Sequence, residues 1–154
     1  MSRNVRIAVG AAFLLWGPLA AAQSTVGALL DAGARVMTTD EFTKELTHRI
    51  VVGPGAAGGT LEIVYAENGS LTGTGANPNL SVMLYGAVSP IDGNWTADNE
   101  GRICTTMLIK AQAGGTVTVL PRRCQFWFRL GDAYYLSDSD SDRGARVLRR
   151  TLKQ

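Results

Sequence analysis

Imidazole and sulfur are scarce in this chain, with one histidine and two cysteines among 154 residues. A zinc centre needs several nitrogen or sulfur ligands, and His48 alone cannot build one. No Cys-x-x-Cys motif is present, so the short spacing that lowers a thiolate pKa for redox work is missing. A Gly-x-Ser-x-Gly elbow, the turn on which many hydrolases mount a nucleophilic serine, is also absent. Charge of one sign does not dominate, since 15 Lys and Arg face 13 Asp and Glu. Only 18% of residues are charged and 7% aromatic, which excludes a coiled coil and a disordered acidic tail. The length suits one domain large enough to bury its own core.

Residues 1–22 have the pattern of a secretory leader. Arg3 and Arg6 make a positive start, an apolar run containing Phe13, Leu14 and Leu15 follows, and Gly17-Pro18 precedes Ala20-Ala21-Ala22. Cleavage is expected after Ala22. The competing reading, a retained anchor, meets an apolar stretch short of the ~20 residues a spanning helix needs. No cysteine sits near the cut to accept a lipid, and no twin-arginine signal precedes the apolar run. Removing the leader takes away Arg3 and Arg6 and no acid, leaving 13 basic and 13 acidic residues. A neutral domain lacks the field that draws nucleic acid, so no nucleic-acid partner is expected. The organisation expected is a leader over 1–22, an N-terminal segment over 23–37 and one β-rich domain over 38–154. The destination is the periplasm or the outside of the cell, with no membrane span once the leader is gone.

An exported chain meets an oxidising compartment, where Cys104 and Cys124 are expected to pair. Closing that loop of roughly 20 residues stabilises the fold by about 3 kcal/mol on the chain-entropy account.

Along the mature part, residues 23–35 are rich in Ala and Leu, but Gly27 and Gly33 weaken the helix to a frayed one or an ordered tail. Thr38 with Glu41 makes a capping box ahead of Phe42, Leu46 and Ile50, which predicts a short amphipathic helix over about 40–48. Gly53-Pro54-Gly55 ends it. From Thr60 the period falls to two: Leu61, Ile63 and Tyr65 alternate with polar neighbours, and Asn68-Gly69 turns the chain into Leu71. Strands are expected over 80–88, ending at Pro90, then from Gly93-Asn94-Trp95, over 102–110, over 116–120, over 123–130 and over 133–136. The stretch 145–152 is placed to close the sheet. Cys124, Phe126, Phe128 and Leu130 share one side of their strand, taken as core; Gln125, Trp127 and Arg129 share the other.

Outside that core face, Trp95, Trp127, Tyr134 and Tyr135 are the best candidates for a binding surface, although packing against the helix is the plainer explanation. Tyr134 and Tyr135 are adjacent on one strand and must point to opposite faces. The carboxylates Glu62, Glu67, Asp98 and Glu100 would serve a hydrolase only if two converged across a cleft. Asp138, Asp140 and Asp142 alternate with serines and are weak candidates for calcium. The EF-hand pattern fails, because Arg143 stands where glycine belongs and Arg149 where glutamate belongs. The alternative is a solvated loop facing a basic tail of Arg143, Arg146, Arg149, Arg150 and Lys153, which is placed to touch anionic lipid or polysaccharide or, more simply, to pair with the three aspartates.

Thr39-Asp40-Glu41-Phe42 with Leu46, the glycine-rich segment and turn over 59–73, Gly93-Asn94-Trp95, Gly101-Arg102-Ile103-Cys104, Cys124 and Ala133-Tyr134-Tyr135 succeed one another in an order that resembles a family of small exported proteobacterial proteins of unknown function. The resemblance covers most of 38–137 and implies a periplasmic, disulfide-bonded, non-catalytic β domain. A second one rests on Trp95, Cys104, Cys124 and Trp127, whose order is similar to that in lipocalin-like periplasmic inhibitors of metalloproteases. Those act through an extended N-terminal segment, for which residues 23–38 would have to serve.

The expected fold is therefore α+β: a short N-terminal helix packed on a curved antiparallel sheet or partial barrel of six to eight strands. The expected function is non-enzymatic, without a cofactor, and consists of binding a small molecule or an envelope protein. Protease inhibition is the alternative. A carrier predicts a closed apolar cavity edged by Trp127 or Tyr135, and an inhibitor predicts a free N-terminal arm.

Overall fold

The computed structural model describes residues 23–55, 59–76, 88–110 and 117–153. The expected leader over 1–22 lies outside the described residues, as do most of the strand expected over 80–88 and the pair Gly114-Gly115.

The chain opens with a short helix α1 (Val26–Asp31) and a two-residue strand β1 (Arg35–Val36), and a second helix α2 (Thr39–Leu46) follows. Eight strands come next: β2 (Ile50–Pro54), β3 (Thr60–Tyr65), β4 (Ser70–Ala76), β5 (Val88–Ala97), β6 (Ile103–Lys110), β7 (Val117–Leu130), β8 (Ala133–Ser137) and β9 (Leu148–Leu152). Each of the eight pairs antiparallel with the next, and β9 returns to β2, so the sheet closes into an up-and-down barrel. β1 stays outside the ring and pairs with the far end of β7 through Arg35–Arg129 and Val36–Phe128. The expected curved sheet is thus a closed barrel of eight strands with one more alongside. Closure removes the sheet edges that would otherwise invite association.

Alternation along the strands divides the apolar residues into two cores. Ile63 and Tyr65, Leu71, Ile91 and Trp95, Ile103, Trp127 and Leu136 point inward and pack with Met37, Phe42 and Leu46. Phe126, Phe128 and Tyr135 point outward and pack under α1 with Val26, Leu29 and Val147. The grouping of Phe126 with Phe128 holds, but their face is not the main core: the Trp127 side looks into the barrel. Two buried faces explain this, since a strand covered on both sides carries apolar residues throughout. The segment 23–37 also differs from a frayed tail. Val26 and Leu29 are fully buried, and Val26 N and Gly27 N donate to the carbonyls of Ala145 and Arg143.

Three further differences have local causes. Ile50 was expected on the helix stripe, yet α2 stops at Leu46, and the β-branched run Ile50-Val51-Val52 forms β2 instead. His48, in the left-handed region at φ 60, makes the corner between them. Pro90 does not end a strand but lies within β5, opposite Thr74, beyond the last pairing of β5 with β6. There its missing N–H costs no ladder bond on the β6 side. Pro121 likewise sits inside one long β7, where the register with β6 slips from Thr105–Arg123 to Met107–Leu120. That slip is a bulge with the extra residue on β7, a usual refuge for proline.

α2 begins as expected. Thr38 Oγ1 accepts from Glu41 N at 3.2 Å, and Thr38 N donates to Glu41 Oε2 at 2.9 Å. Arg35 adds an ion pair at 2.6 Å. The Arg35 guanidinium first, and the Thr38 N–H second, hold the Glu41 carboxyl down at about 2 against an ordinary 4.5. A carboxyl depressed in the folded state contributes stability above its unfolded value and loses it as pH falls through the folded one. Glu41→Gln is therefore expected to flatten the dependence of Tm on pH between 4.5 and about 2, and Thr38→Ala to cost about 1 kcal/mol at neutral pH. A Glu41→Gln acid limb identical to the parent's would show that the cap carries no acid sensitivity.

Candidate functional site

An eight-stranded barrel has an interior just wide enough to be filled by side chains or to hold one small ligand. Here the two outcomes divide the lumen. At the α2 end, Phe42 is wedged among three rings, with centroids 5.1 Å from Tyr65, 5.1 Å from Trp95 and 5.2 Å from Trp127. Trp95 Nε1 donates to the Ala66 carbonyl at 2.7 Å, fixing the ring as part of the floor. Above this floor a gap of only about 40 Å³ remains, bounded by Tyr65, Trp127, Thr105 and Arg150. A carrier cavity closed around Trp127 or Tyr135 is therefore not what the barrel holds.

The lumen widens toward the opposite end, where β2, β4 and β6 finish and β3, β5 and β7 begin. A cavity of about 290 Å³ opens there. Leu61, Met107, Leu120, Pro121 and Leu148 form its apolar walls, and Thr105, Arg122, Arg123, Gln125 and Arg150 its polar side. A larger, more polar depression of about 500 Å³ adjoins it along Arg123, Asp138 and Arg146. Its principal cation is already matched: Arg123 Nη2 donates to Asp138 Oδ2 at 2.7 Å, and Gln125 Nε2 to Asp138 Oδ1 at 2.8 Å. Arg123 first, against the opposing effect of burial, holds the Asp138 carboxyl below its ordinary value. The apolar cavity is the better ligand site, because its walls give up water at a gain.

Arg150 is different from the other cations. It is 9% exposed, faces inward between Leu148 and Leu152, and its side chain makes one hydrogen bond among the described residues, Nη1 to the Arg149 carbonyl at 3.2 Å. No carboxylate pairs with it among the described residues. Burial pushes its pKa down, opposed next by Tyr65, and the nearby Arg123 charge adds the smallest downward effect. Gly53 makes the space for it: a Cβ there would lie 2.5 Å from Arg150 Nη1 and 2.6 Å from the Arg149 carbonyl oxygen.

The residues singled out from sequence are distributed otherwise. Trp95, Trp127, Tyr134 and Tyr135 are all buried and present no exposed surface. Trp95 and Trp127 belong to the floor. Tyr134 faces inward and donates to Glu45 Oε2 at 3.0 Å, while Tyr135 faces the outer core, so the two tyrosines do take opposite sides. Cys104 and Cys124 are bonded at 2.04 Å and directly opposite in register. Asp138, Asp140 and Asp142 do not converge: Asp138 is held by Arg123, and Asp142 Oδ1 accepts from Gly144 N at 2.9 Å. Instead of meeting these aspartates, Arg143 of the basic tail reaches Asp31 on α1, and Lys153 reaches Glu62. The one acidic-and-sulfur grouping among the described residues, Asp98 with Cys104 and Cys124, has its sulfurs committed to the disulfide. Glu67 lies 3.8 Å from exposed His48, and Asp98 and Glu100 share Arg102. Glu62, Glu67 and the Asp98–Glu100 turn thus hold separate basic partners.

The sequence does not single out the cavity residues Leu61, Met107 and Leu148, and marks Arg150 only as one member of the basic tail. One signal was available: Arg150 occupies the inward register between Leu148 and Leu152, a charge on an apolar stripe. No family model, curated protein or solved structure matches the chain.

Proposed function

We propose that the mature chain is an exported, non-enzymatic envelope protein that binds a small, largely apolar molecule in the open half of its barrel. The cavity of about 290 Å³ above the aromatic floor carries this reading; it falls just below the ~300–1,000 Å³ usual for ligand pockets, which suits a small molecule. Export is supported by the leader pattern over 1–22 and by the disulfide, which suits an oxidising compartment. No helix among the described residues is long and apolar enough to cross a membrane. The resemblance to small exported proteobacterial proteins agrees with both. The inhibitor alternative is less well supported, because its arm would have to come from residues whose helix α1 is buried under the barrel wall.

A neutral, environment-sensitive fluorophore such as N-phenyl-1-naphthylamine tests the reading. Saturable one-site enhancement is expected, weakened by about tenfold when Leu120 on the cavity wall is changed to Trp to fill the space. Enhancement that never saturates, or that Leu120→Trp leaves untouched in a folded protein, would remove this site from consideration.

A further inference from the structure

Resting on that reading, we propose that Arg150 is the receptor for the head group of the bound molecule, and that the ligand is an aliphatic monocarboxylate. Its carboxylate sits in the gap between Arg150 and Tyr65, and its chain lies along Leu61, Met107 and Leu148 toward the open end.

The buried guanidinium is the starting point. Desolvating a cation is costly unless a counter-charge or a full set of acceptors compensates it. Arg150 has no counter-charge, and beyond Nη1 and the Arg149 carbonyl its N–H groups meet no acceptor among the described residues; none of them is a sealed, orphaned donor, so they are open to whatever occupies the lumen. Tyr65 lines the same gap, and its side chain makes no hydrogen bond among the described residues. Burial drives its pKa up to about 12, so at neutral pH it remains a neutral O–H donor. Two donor-bearing side chains thus line a space of about 40 Å³, against the ~10–15 Å³ that one water requires. A planar carboxylate fills it and matches the forked geometry of a guanidinium.

Charge selects the class. Arg123 is neutralised by Asp138 and exposed Arg122 on the cavity wall donates to Thr96, so in the narrow gap beside Tyr65 Arg150 is the one charged side chain among the described residues. A monoanion balances it, whereas a phosphate dianion would bring excess charge against Leu61 and Met107. Those walls, continuous with the wider cavity, favour an alkyl chain over a polar body. Gly53 completes the site, since any side chain there would displace the guanidinium.

Calorimetry on the exported protein, with decanoate, decanol and decyl phosphate as probes, tests the assignment. Decanoate is expected to bind at least about tenfold more tightly than decanol, the range expected for a charge-assisted hydrogen bond, and more tightly than decyl phosphate. Arg150→Met should bring the ratio of decanoate to decanol affinity down to about one, and Arg150→Lys should restore part of it. Should Arg150→Met fail to fold, the comparison of the probes on the parent protein still decides. Equal binding of decanoate and decanol overturns the receptor role while leaving the apolar site standing, as does a preference that survives Arg150→Met. Tighter binding of decyl phosphate overturns the carboxylate assignment. If neither these probes nor the neutral fluorophore bind, the cavity reading itself falls with it.

Discussion

Phe42→Ala is expected to lower stability by about 3–5 kcal/mol. The side chain is 1% exposed and touches three other rings, Tyr65, Trp95 and Trp127, none of which can collapse into the vacated space without leaving the wall it belongs to. Tyr65 and Trp95 also meet edge to face at 6.3 Å, so the rings support one another as well as Phe42. For a chain of this size the loss corresponds to a fall in Tm of roughly 10 °C. Near-ultraviolet circular dichroism should lose intensity too, because Trp95 and Trp127 no longer have a fixed environment. Phe42→Leu keeps most of the volume and should cost clearly less. A Tm for Phe42→Ala within about 2 °C of the parent would mean that α2 does not plug the barrel.

That plug is also why part of the architecture could be read in advance. The Thr38–Glu41 cap, the period of two over β3, the Asn68-Gly69 turn and the closing strand at the C-terminus are local signals, each fixed by residues next to one another. What failed was non-local. Pro90 and Pro121 look like strand ends because a proline removes a ladder donor. Whether that donor is needed depends on where β6 runs out and where β7 bulges, and neither is visible in the neighbouring residues. The two faces of β7 posed the same difficulty. Phe126, Trp127 and Phe128 are all buried, and only the presence of α1 on the outside tells which side is lumen.

The candidate site was less legible than the fold. Large aromatics drew attention as a binding surface, yet in a barrel this narrow they are the residues that fill it. The cavity is lined instead by small and aliphatic side chains from β3, β6, β7 and β9, which no single segment groups together. Arg150 hides within a basic tail, where alternate residues do different work: Arg149 is exposed, while Arg150 points inward. Glycine carried a signal of a related kind. Gly73 and Gly93 allow close strand approach, where a Cβ would lie 2.1 Å from the Glu62 carbonyl oxygen and 2.0 Å from that of Thr106. A glycine-rich strand is thus a sign of a tightly curved barrel wall.

Removing the disulfide by Cys104→Ala with Cys124→Ala is expected to cost about 3 kcal/mol, the value for freeing a loop of this length in the unfolded chain. In Tm this is a drop of roughly 6–12 °C, reproduced by adding reductant to the parent protein. The functional consequence follows from position. Cys124 lies between Arg123 and Gln125, which line the cavity, and beside the bulge that brings Leu120 to its wall. Once the bridge is lost, the β6–β7 ladder alone must hold that bulge, so ligand affinity should fall together with stability. The Phe42 variant separates the two effects: it weakens the far end of the barrel by a comparable amount without touching the cavity wall. Equal affinity in the disulfide-free protein, measured well below its Tm, would show that the bridge supports the fold and leaves the mouth of the barrel to its hydrogen bonds.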